Sequence, residues 1–230
     1  GEVVNLTNSG YFDSNPRWVL DGNAILFSSE RYGMRNHASW GSLQDVMIVF
    51  MNQDAYDKFR LNKEDYELLK EEEKRIASLK NKEQKEDQKD KKGETKPAVK
   101  EKKNIEVELK GIEDRVMRLT PNSSQLGDAI LSKSGDKLYY MASFEGGMDL
   151  WVSDLRSRST KVMHKLNSGW ASLEMDKDGK DLFLLGGRSM QKISLGSERR
   201  NPITYSAEMK LDQAAERAYM FDRVRRQEAK

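Results

Sequence analysis

Residues 130–141, ILSKSGDKLYYM, carry the pattern that decides the fold: an apolar run, a Ser-Gly turn and a second apolar run. The same pattern occurs in residues 18–28, WVLDGNAILFS, and in residues 173–185, LEMDKDGKDLFLL, each with an Asp-Gly turn. Glycine adopts the positive φ that a tight hairpin turn requires. The sequence therefore predicts three β-hairpins of one kind.

A further strand is expected after each hairpin, at residues 45–50, 149–155 and 191–195. Gly135 and Gly179 lie 44 residues apart, and four-stranded propeller blades repeat at about 40–45 residues. Gly22 and Gly135 lie 113 residues apart, so roughly one extra module interrupts the first repeat. The expected fold is all-β, a partial β-propeller of four-stranded blades.

The extra module is charged. Apolar residues recur at spacings of three, four and seven between residues 54 and 79, which predicts helix. Residues 80–103 hold ten Lys and six acidic residues, with Ala98 and Val99 the only apolar ones. This composition buries too little apolar surface to offset the entropy of ordering, so it predicts a disordered loop. Apolar alternation returns at Ile105, where a strand is expected to restart.

The C-terminal residues 210–230 are expected to form a helix with one apolar face. That face holds Leu211, Ala214, Ala215, Ala218, Phe221 and Val224. The predicted organisation is a blade at 1–53, the helical and then disordered insert at 54–104, blades at 105–206 and an exit helix at 207–230. Three blades are fewer than the four to eight of a closed propeller, so we expect an arc that belongs to a longer protein.

The composition restricts the classes of function. With 40 basic and 38 acidic residues the net charge is +2. The chain as a whole therefore has no strong positive electrostatic potential that would attract nucleic acid or an anionic membrane. The lysines of the insert alternate with acids and lack stacking aromatics, so no nucleic-acid partner is expected. The chain has no cysteine, which excludes disulfides, thiolate zinc sites and cysteine nucleophiles. No apolar run approaches the roughly 20 residues of a membrane helix.

The sequence offers no convincing catalytic group. Its two histidines, His37 and His164, have no motif context, and no G-x-S-x-G elbow occurs. Ser134 and Ser189 begin Ser-x-x-Lys patterns, but a Ser–Lys pair needs a buried lysine with a lowered pKa, and turn lysines are solvated. We therefore expect no catalytic residue in this chain.

Asp176, Asp178 and Asp181 resemble a cation-binding loop. The further glutamate ligand of a helix–loop–helix calcium site is missing, so the Asp-x-Asp-Gly sequence is interpreted as a turn. We expect neither a metal nor a cofactor.

Residues 31–41, RYGMRNHASWG, form an unusually long connection. Asp45 follows Gly22 by 23 residues, whereas the corresponding Asp149 follows Gly135 by 14. Tyr, Trp, Met and Arg are enriched at interfaces. The loop either contacts a substrate or partner or packs on an adjoining domain. The candidate contact residues are Tyr32, Arg35, His37 and Trp40.

Residues 15–33, NPRWVLDGNAILFSSERYG, resemble the Pro-Trp-Ser-Pro-Asp-Gly repeat of TolB-like and tricorn-like propellers, with Val19 and Leu20 in place of Ser-Pro. Residues 111–121, 135–161 and 215–227 follow a Lys/Glu-rich insert in this order. That series is similar to the propeller region of bacterial tricorn-like serine peptidases, of the C-terminal-processing peptidase family, just upstream of the peptidase core.

The resemblance implies WD40-like or TolB-like blades that gate or dock peptide or unfolded polypeptide substrates for proteolysis, without chemistry of their own. It implies PDZ and peptidase domains beyond the exit helix, a homo-oligomeric parent, and a periplasmic or other extracytoplasmic location, with the cytoplasm left open. One alternative is a free-standing TolB-like propeller that serves as an interaction scaffold. Another is an enzyme built on the propeller itself.

The insert provides a first test. Limited proteolysis should cut between Lys80 and Lys103 well before it cuts the blades, because a chain that is not ordered fits a protease site more readily. Mass spectrometry of the early fragments would locate the cuts, and equal resistance along the whole chain would contradict the prediction.

Overall fold

The structure, a computed structural model, describes residues 3–35, 37, 41–87, 105–144, 146–186, 189–206 and 208–228. Its strands form three four-stranded antiparallel sheets, and in each sheet the spatial order of the strands follows their order along the chain. The three sheets are the three blades of a propeller arc, which confirms the expected fold class.

The strand bounds define the blades. Blade 1 contains β1 (Asp13–Val19), β2 (Ala24–Ser29), β3 (Asp45–Phe50) and β4 (Val116–Arg118). Blade 2 contains β5 (Gln125–Leu131), β6 (Lys137–Ser143), β7 (Met148–Asp154) and β8 (Ser159–Ser168). Blade 3 contains β9 (Ala171–Met175), β10 (Asp181–Gly186), β11 (Ser189–Ser194) and β12 (Arg199–Ile203).

The three predicted hairpins join the first two strands of each blade. Gly22, Gly135 and Gly179 have φ values of 89°, 73° and 71° in the turns between those strands. Side chains with a Cβ rarely adopt such values. The glycines thus form the turn between the first two strands of every blade.

The insert lies inside blade 1, between its third and fourth strands. It contains α1 (Gln53–Arg60), α2 (Lys63–Asp87) and a short 3₁₀ turn (Ile112–Arg115). The helix expected to end at residue 79 continues to Asp87, since Lys, Glu and Gln favour helix. Residues 80–87 of the stretch predicted to be disordered are therefore helical, and its residues 88–103 lie outside the described residues.

The strand expected to restart at Ile105 does not form, and residues 105–109 have no strand assignment. Ile105, Val107 and Leu109 are each about half exposed, and a bond from the backbone N of Glu108 to the carbonyl oxygen of Met51, rather than a strand ladder, holds the segment next to β3. The first strand after the insert is β4, in which Val116 pairs with Val49 of β3. Blade 1 therefore takes strands from both sides of the insert.

Apolar side chains that alternate along the strands fill the spaces between blades. Between blades 1 and 2 the buried set includes Leu26, Val46, Ile48, Phe50, Leu131, Leu138 and Tyr140. Between blades 2 and 3 it includes Met141, Leu150, Leu173, Leu182, Leu184 and Ile193. The face of blade 1 that points away from blade 2 is also covered, since Leu6 and Ile112 pack on Phe27, Met47 and Val49.

The first strand of each blade lies nearest the propeller axis, where all three blades meet. The guanidinium of Arg17 on β1 donates to Oδ2 of Asp128 on β5 at 2.9 Å. It also donates to the carbonyl oxygen of Leu173 on β9 at 3.1 Å. Oδ2 of Asp128 accepts in addition from the backbone N of Leu173 at 2.8 Å. These bonds link the inner edges of three blades.

The insert is attached to blade 2 through Arg156 in the β7–β8 turn. Its guanidinium donates to the carbonyl oxygens of Phe59 and Leu61, at the end of α1, the latter at 2.9 Å. It also donates to Oδ1 of Asp136 at 3.2 Å and lies 3.9 Å from the ring centre of Tyr66 on α2. The insert of blade 1 is thereby hydrogen-bonded to blade 2.

The expected C-terminal helix is present as α3 (Gln213–Glu228). None of its described residues is buried, and Phe221 and Val224 of the predicted apolar face are 72% and 57% exposed. The apolar face is therefore not covered by the described part of the chain.

Asp45, the first residue of β3, is fully buried and holds the strand that returns from the insert. Oδ1 accepts from Nε of Arg118 at 2.9 Å and from the hydroxyl of Thr120 at 2.8 Å. Oδ2 accepts from the hydroxyl of Ser123 at 2.7 Å. The end of β4 and the segment after it are thus tied to one carboxylate.

Asp45→Ala should lower the free energy of unfolding by about 3 kcal/mol, because it removes charge-assisted bonds from Arg118 and leaves the buried hydroxyl of Thr120 without this acceptor. Urea denaturation followed by circular dichroism would measure the change. Glu67→Ala, at an exposed position of α2, is the control and should have almost no effect. Equal stability of the two variants would refute the role given to Asp45.

Candidate functional site

The two ends of the arc carry different side chains. Because neighbouring strands run antiparallel, one end holds the segments that enter the first strands and the connections between second and third strands. The described exposed residues of that end include six aromatic or Met side chains that are 42–73% exposed. They are Tyr11, Phe12, Tyr32, Met34, Phe144 and Trp170. We call this surface the aromatic end.

The opposite end holds the hairpin turns and the connections between third and fourth strands. Its described turns, at 20–23, 132–136, 155–158, 176–180 and 195–198, contain no exposed large apolar side chain and many charged ones. We call it the polar end. Of the other exposed aromatic residues in and next to the described blades, Trp18 lies on the axial strand β1 and Tyr205 follows β12, which ends at the aromatic end. The insert, which is the β3–β4 connection of blade 1, lies at the polar end and exposes aliphatic side chains, among them Leu68, Ile105 and Val107. Among the described blade loops, exposed aromatic side chains are therefore confined to the aromatic end.

The β2–β3 connection, selected from the sequence as a contact loop, lies at the aromatic end. The guanidinium of Arg35 lies 4.7 Å from the ring centre of Tyr11, and that of Arg118 lies 5.2 Å from the ring centre of Tyr32. His37 is exposed. Trp40 lies outside the described residues. The structure thus places Tyr32, Arg35 and His37 on one surface, and their role in binding stays a prediction.

Backbone contacts hold this connection in a fixed shape. The backbone N of Leu43 donates to the carbonyl oxygen of Met34 at 3.0 Å, and Arg35 and Ser42 form a bridge. A Cβ built at Gly33 would lie 1.6 Å from the carbonyl oxygen of Leu43. Only glycine fits there, so the exposed Tyr32 and Met34 flank a close crossing of two backbone segments.

Four residues of the aromatic end are absent from the sequence-based prediction. Phe12 and Trp170 immediately precede the axial strands β1 and β9, and Phe144 follows β6. Tyr11 precedes Phe12. The blade repeat could have identified them, since residues next to equivalent strand ends must lie at the same end of the arc. The prediction instead considered one long connection.

A cavity of about 560 Å³ opens beside Trp170, between blades 2 and 3. Its apolar lining includes Leu166, Ala171 and Leu184, and its polar lining includes Gln191 and Arg200. Oε1 of Gln191 is buried without a hydrogen-bond partner among the described residues. The aromatic end thus includes a recess large enough for a side chain.

The residues considered for catalysis are not assembled into a site. His37 is an exposed residue of blade 1, whereas His164 lies on β8, the outermost strand of blade 2. Burial and the nearby positive charge of Arg200 lower the pKa of His164. Ser134 lies in a hairpin turn and its carbonyl oxygen accepts from the hydroxyl of Tyr66 at 3.0 Å.

The aspartates that resemble a cation loop stabilise a turn. Oδ1 of Asp176 accepts from the backbone N of Lys180 at 2.7 Å and from that of Asp181 at 3.0 Å. Bonds of this kind, foremost from Asp181, lower the pKa of Asp176. Asp181 itself pairs with Lys192 at 2.8 Å. Within the described ranges no group of three or more His, Cys, Asp or Glu could hold a metal ion.

None of the helices described in the structure is long and apolar enough to cross a membrane.

No protein-family profile matches this chain, and no curated protein sequence matches it. Among solved structures it is similar to the tricorn protease, with a TM-score of 0.50 and 10% identity over 86% of this chain and 18% of that chain. It is also similar to TolB from Acinetobacter baumannii, with a TM-score of 0.48 and 12% identity over 88% of this chain and 34% of that chain.

A third similar structure is the β-propeller domain of the Trilobed protease from Pyrococcus furiosus, with a TM-score of 0.41 and 13% identity over 84% of this chain and 43% of that chain. The chain spans about a third of the TolB chain and less than a fifth of the tricorn protease chain. At these identities the likeness shows the fold alone, a propeller arc of the kind found in tricorn protease.

The close crossing at Gly33 can be tested. Gly33→Ala should lower stability by about 1–3 kcal/mol, because the added methyl group forces the two backbone segments apart. Amide hydrogen exchange at Leu43 should accelerate as its bond to Met34 is lost. Gly10→Ala, where a Cβ would meet nothing within 4 Å, is the control. Unchanged exchange at Leu43 would contradict the assigned geometry.

Proposed function

We propose that this chain is a non-catalytic propeller segment of a tricorn-like serine peptidase, and that its aromatic end docks peptide or unfolded polypeptide substrates for proteolysis. The observation that carries the proposal is that the exposed aromatic side chains of the described blade loops lie at one end of three blades. Clustered exposed apolar residues mark interaction surfaces, and aromatic residues, Met and Arg are enriched in interface cores.

An unfolded polypeptide suits this surface better than a folded partner does. The exposed side chains come from separate segments of three blades, so they offer spaced contacts around the axis. An extended chain can place successive side chains against such contacts. The recess beside Trp170 would receive one of them.

The peptidase attribution has two supports. One is the likeness of the fold to the tricorn protease, and the other is the ordered series of sequence segments that ends in the exit helix. Under the proposal, PDZ and peptidase domains of the same protein cover the exposed apolar face of α3, in a homo-oligomer that works outside the cytoplasm. The catalytic residues lie in those domains.

A free-standing TolB-like interaction scaffold is the second candidate. The observation that favours it is the covering of the outer face of blade 1 by the chain itself, through Leu6 and Ile112. This packing buries part of the outer face of blade 1 without any contact from a peptidase domain. Both candidates use the aromatic end to bind polypeptide, and they differ in what adjoins α3.

The proposal predicts binding without cleavage. Fluorescein-labelled β-casein, which is unfolded, should bind the chain, and Phe12→Ala with Trp170→Ala should weaken binding about tenfold or more, since each lost aromatic anchor costs about 1–2 kcal/mol. Fluorescence anisotropy would measure the dissociation constant. The matched control is Leu68→Ala, at a 65% exposed position on α2.

Equal loss in the control, or no binding by the parent chain, would overturn the docking role. The casein should also remain intact after prolonged incubation, as judged by mass spectrometry. Cleavage that survives repurification and is lost with a serine-hydrolase inhibitor would show that the chain is itself an enzyme.

A further inference from the structure

We infer that the recess beside Trp170 is a specificity pocket for one side chain of the docked polypeptide, and that the side chain it selects is tyrosine. This inference rests on the proposed function and adds a preferred residue to it. It follows from the chemistry of the recess walls, which combine an apolar surface with two hydrogen-bonding groups that the described chain does not use.

One side of the recess is apolar. Leu166 on β8, Ala171 on β9 and Leu184 on β10 line it, and Trp170 beside them is 65% exposed. Aromatic rings pack favourably on one another in offset or edge-to-face arrangements. A flat apolar side chain therefore suits this part of the recess best.

The polar groups lie on the face of blade 3 that packs against blade 2. Gln191 on β11 pairs with Leu184 on β10, and Arg200 on β12 pairs with Ile193 on β11. Leu184 and Ile193 belong to the core between blades 2 and 3, and residues paired across antiparallel strands share a face. Gln191 and Arg200 therefore border the same recess.

Both polar groups are unused in the described residues. Oε1 of Gln191 is buried without a hydrogen-bond partner, and a buried acceptor without a donor is unfavourable. The last torsion of a Gln side chain is broad, so the amide can turn its oxygen toward a guest. Arg200 forms no ion pair with a described carboxylate, and Glu198, two residues before it, pairs with Lys161.

These two groups distinguish the side chains that could enter the recess. Leu, Met or Phe would leave both groups without a partner, and Lys would place its charge next to that of Arg200. Glu has no proton for Oε1 of Gln191, and neither Glu nor Gln has a ring for Trp170. The hydroxyl of tyrosine both donates and accepts, so it can bond to both groups while the ring covers the apolar side. A site built to bond a hydroxyl rejects the analogue that lacks it.

The test uses four fluorescein-labelled nine-residue peptides of Ser, Gly and Leu that differ only in a central Tyr, Phe, Gln or Glu. Anisotropy titrations with the full chain should give the tightest binding for the Tyr peptide. Its affinity should be about tenfold higher than that of the Phe peptide, since the Phe peptide leaves the polar groups of the recess unpaired.

Two variants with the same substitution locate the effect. Gln191→Met removes the amide and keeps a side chain of similar length, so it should weaken the Tyr peptide and bring it within about twofold of the Phe peptide. Gln125→Met, at an exposed position where β5 begins at the same end of the arc, is the control and should keep the tenfold difference.

Arg200→Met, at an exposed position, should also reduce the preference for the Tyr peptide. It replaces Gln191→Met as the test if thermal melts show that the latter is unfolded.

The outcomes separate this inference from the proposed function. Equal binding of the Tyr and Phe peptides, or tightest binding of the Gln or Glu peptide, would overturn the tyrosine preference, and binding of casein would keep the docking role. If casein binds and none of the peptides does, the recess is not an anchor and this inference fails alone. If neither casein nor any peptide binds, the proposed function fails as well. An unchanged preference in folded Gln191→Met and Arg200→Met, or an equal loss in Gln125→Met, would overturn the assignment to this recess.

Discussion

The carboxylate of Asp45 is the contact on which both the first blade and the candidate site depend. The 65 residues between Phe50 and Val116 separate two strands that must pair, and closing a flexible connection of that length costs about 4 kcal/mol. A three-residue β4 offers little pairing energy against that cost. Asp45 adds bonds from Arg118, Thr120 and Ser123 at a buried position. The same Arg118 lies against the ring of Tyr32, so the bonds that complete the blade also support the aromatic end.

The insert has a second anchor, and its position matters for function. Arg156, Asp136 and Tyr66 fasten α1 and the first turns of α2 to the polar end of blade 2. The Arg156 side chain is 8% exposed, and its guanidinium donates to Asp136 and to the carbonyl oxygens of Phe59 and Leu61. A charged group that is buried in this way must be fully hydrogen-bonded, which fixes the direction in which the helices leave the blades. The bulk of the described insert therefore lies away from the aromatic end.

Most of the fold could be predicted from residues whose effect is local. Gly22, Gly135 and Gly179 predict hairpin turns because a positive φ depends on the single residue that adopts it. The apolar run at 45–50 predicts a buried strand, and β3 has the same two ends with all six residues buried. The strand expected at Ile105 failed because alternation alone does not supply a pairing neighbour. The position of β4 depends on Asp45, 73 residues away from Arg118, and no local pattern reveals such a contact.

The candidate site likewise contains residues that share one loop and residues that come from different blades. Tyr32, Arg35 and His37 were accessible to sequence reasoning because they share one long loop. Phe12, Phe144 and Trp170 can be identified only through the blade repeat, since each is a single aromatic residue beside a strand end and the three join one surface through the repetition of the blades. Because the blades repeat, residues at equivalent strand ends lie side by side around the axis, at the same end of the arc. A binding surface on such an arc is therefore distributed over blades, and its charge and apolar character must be assessed end by end rather than loop by loop.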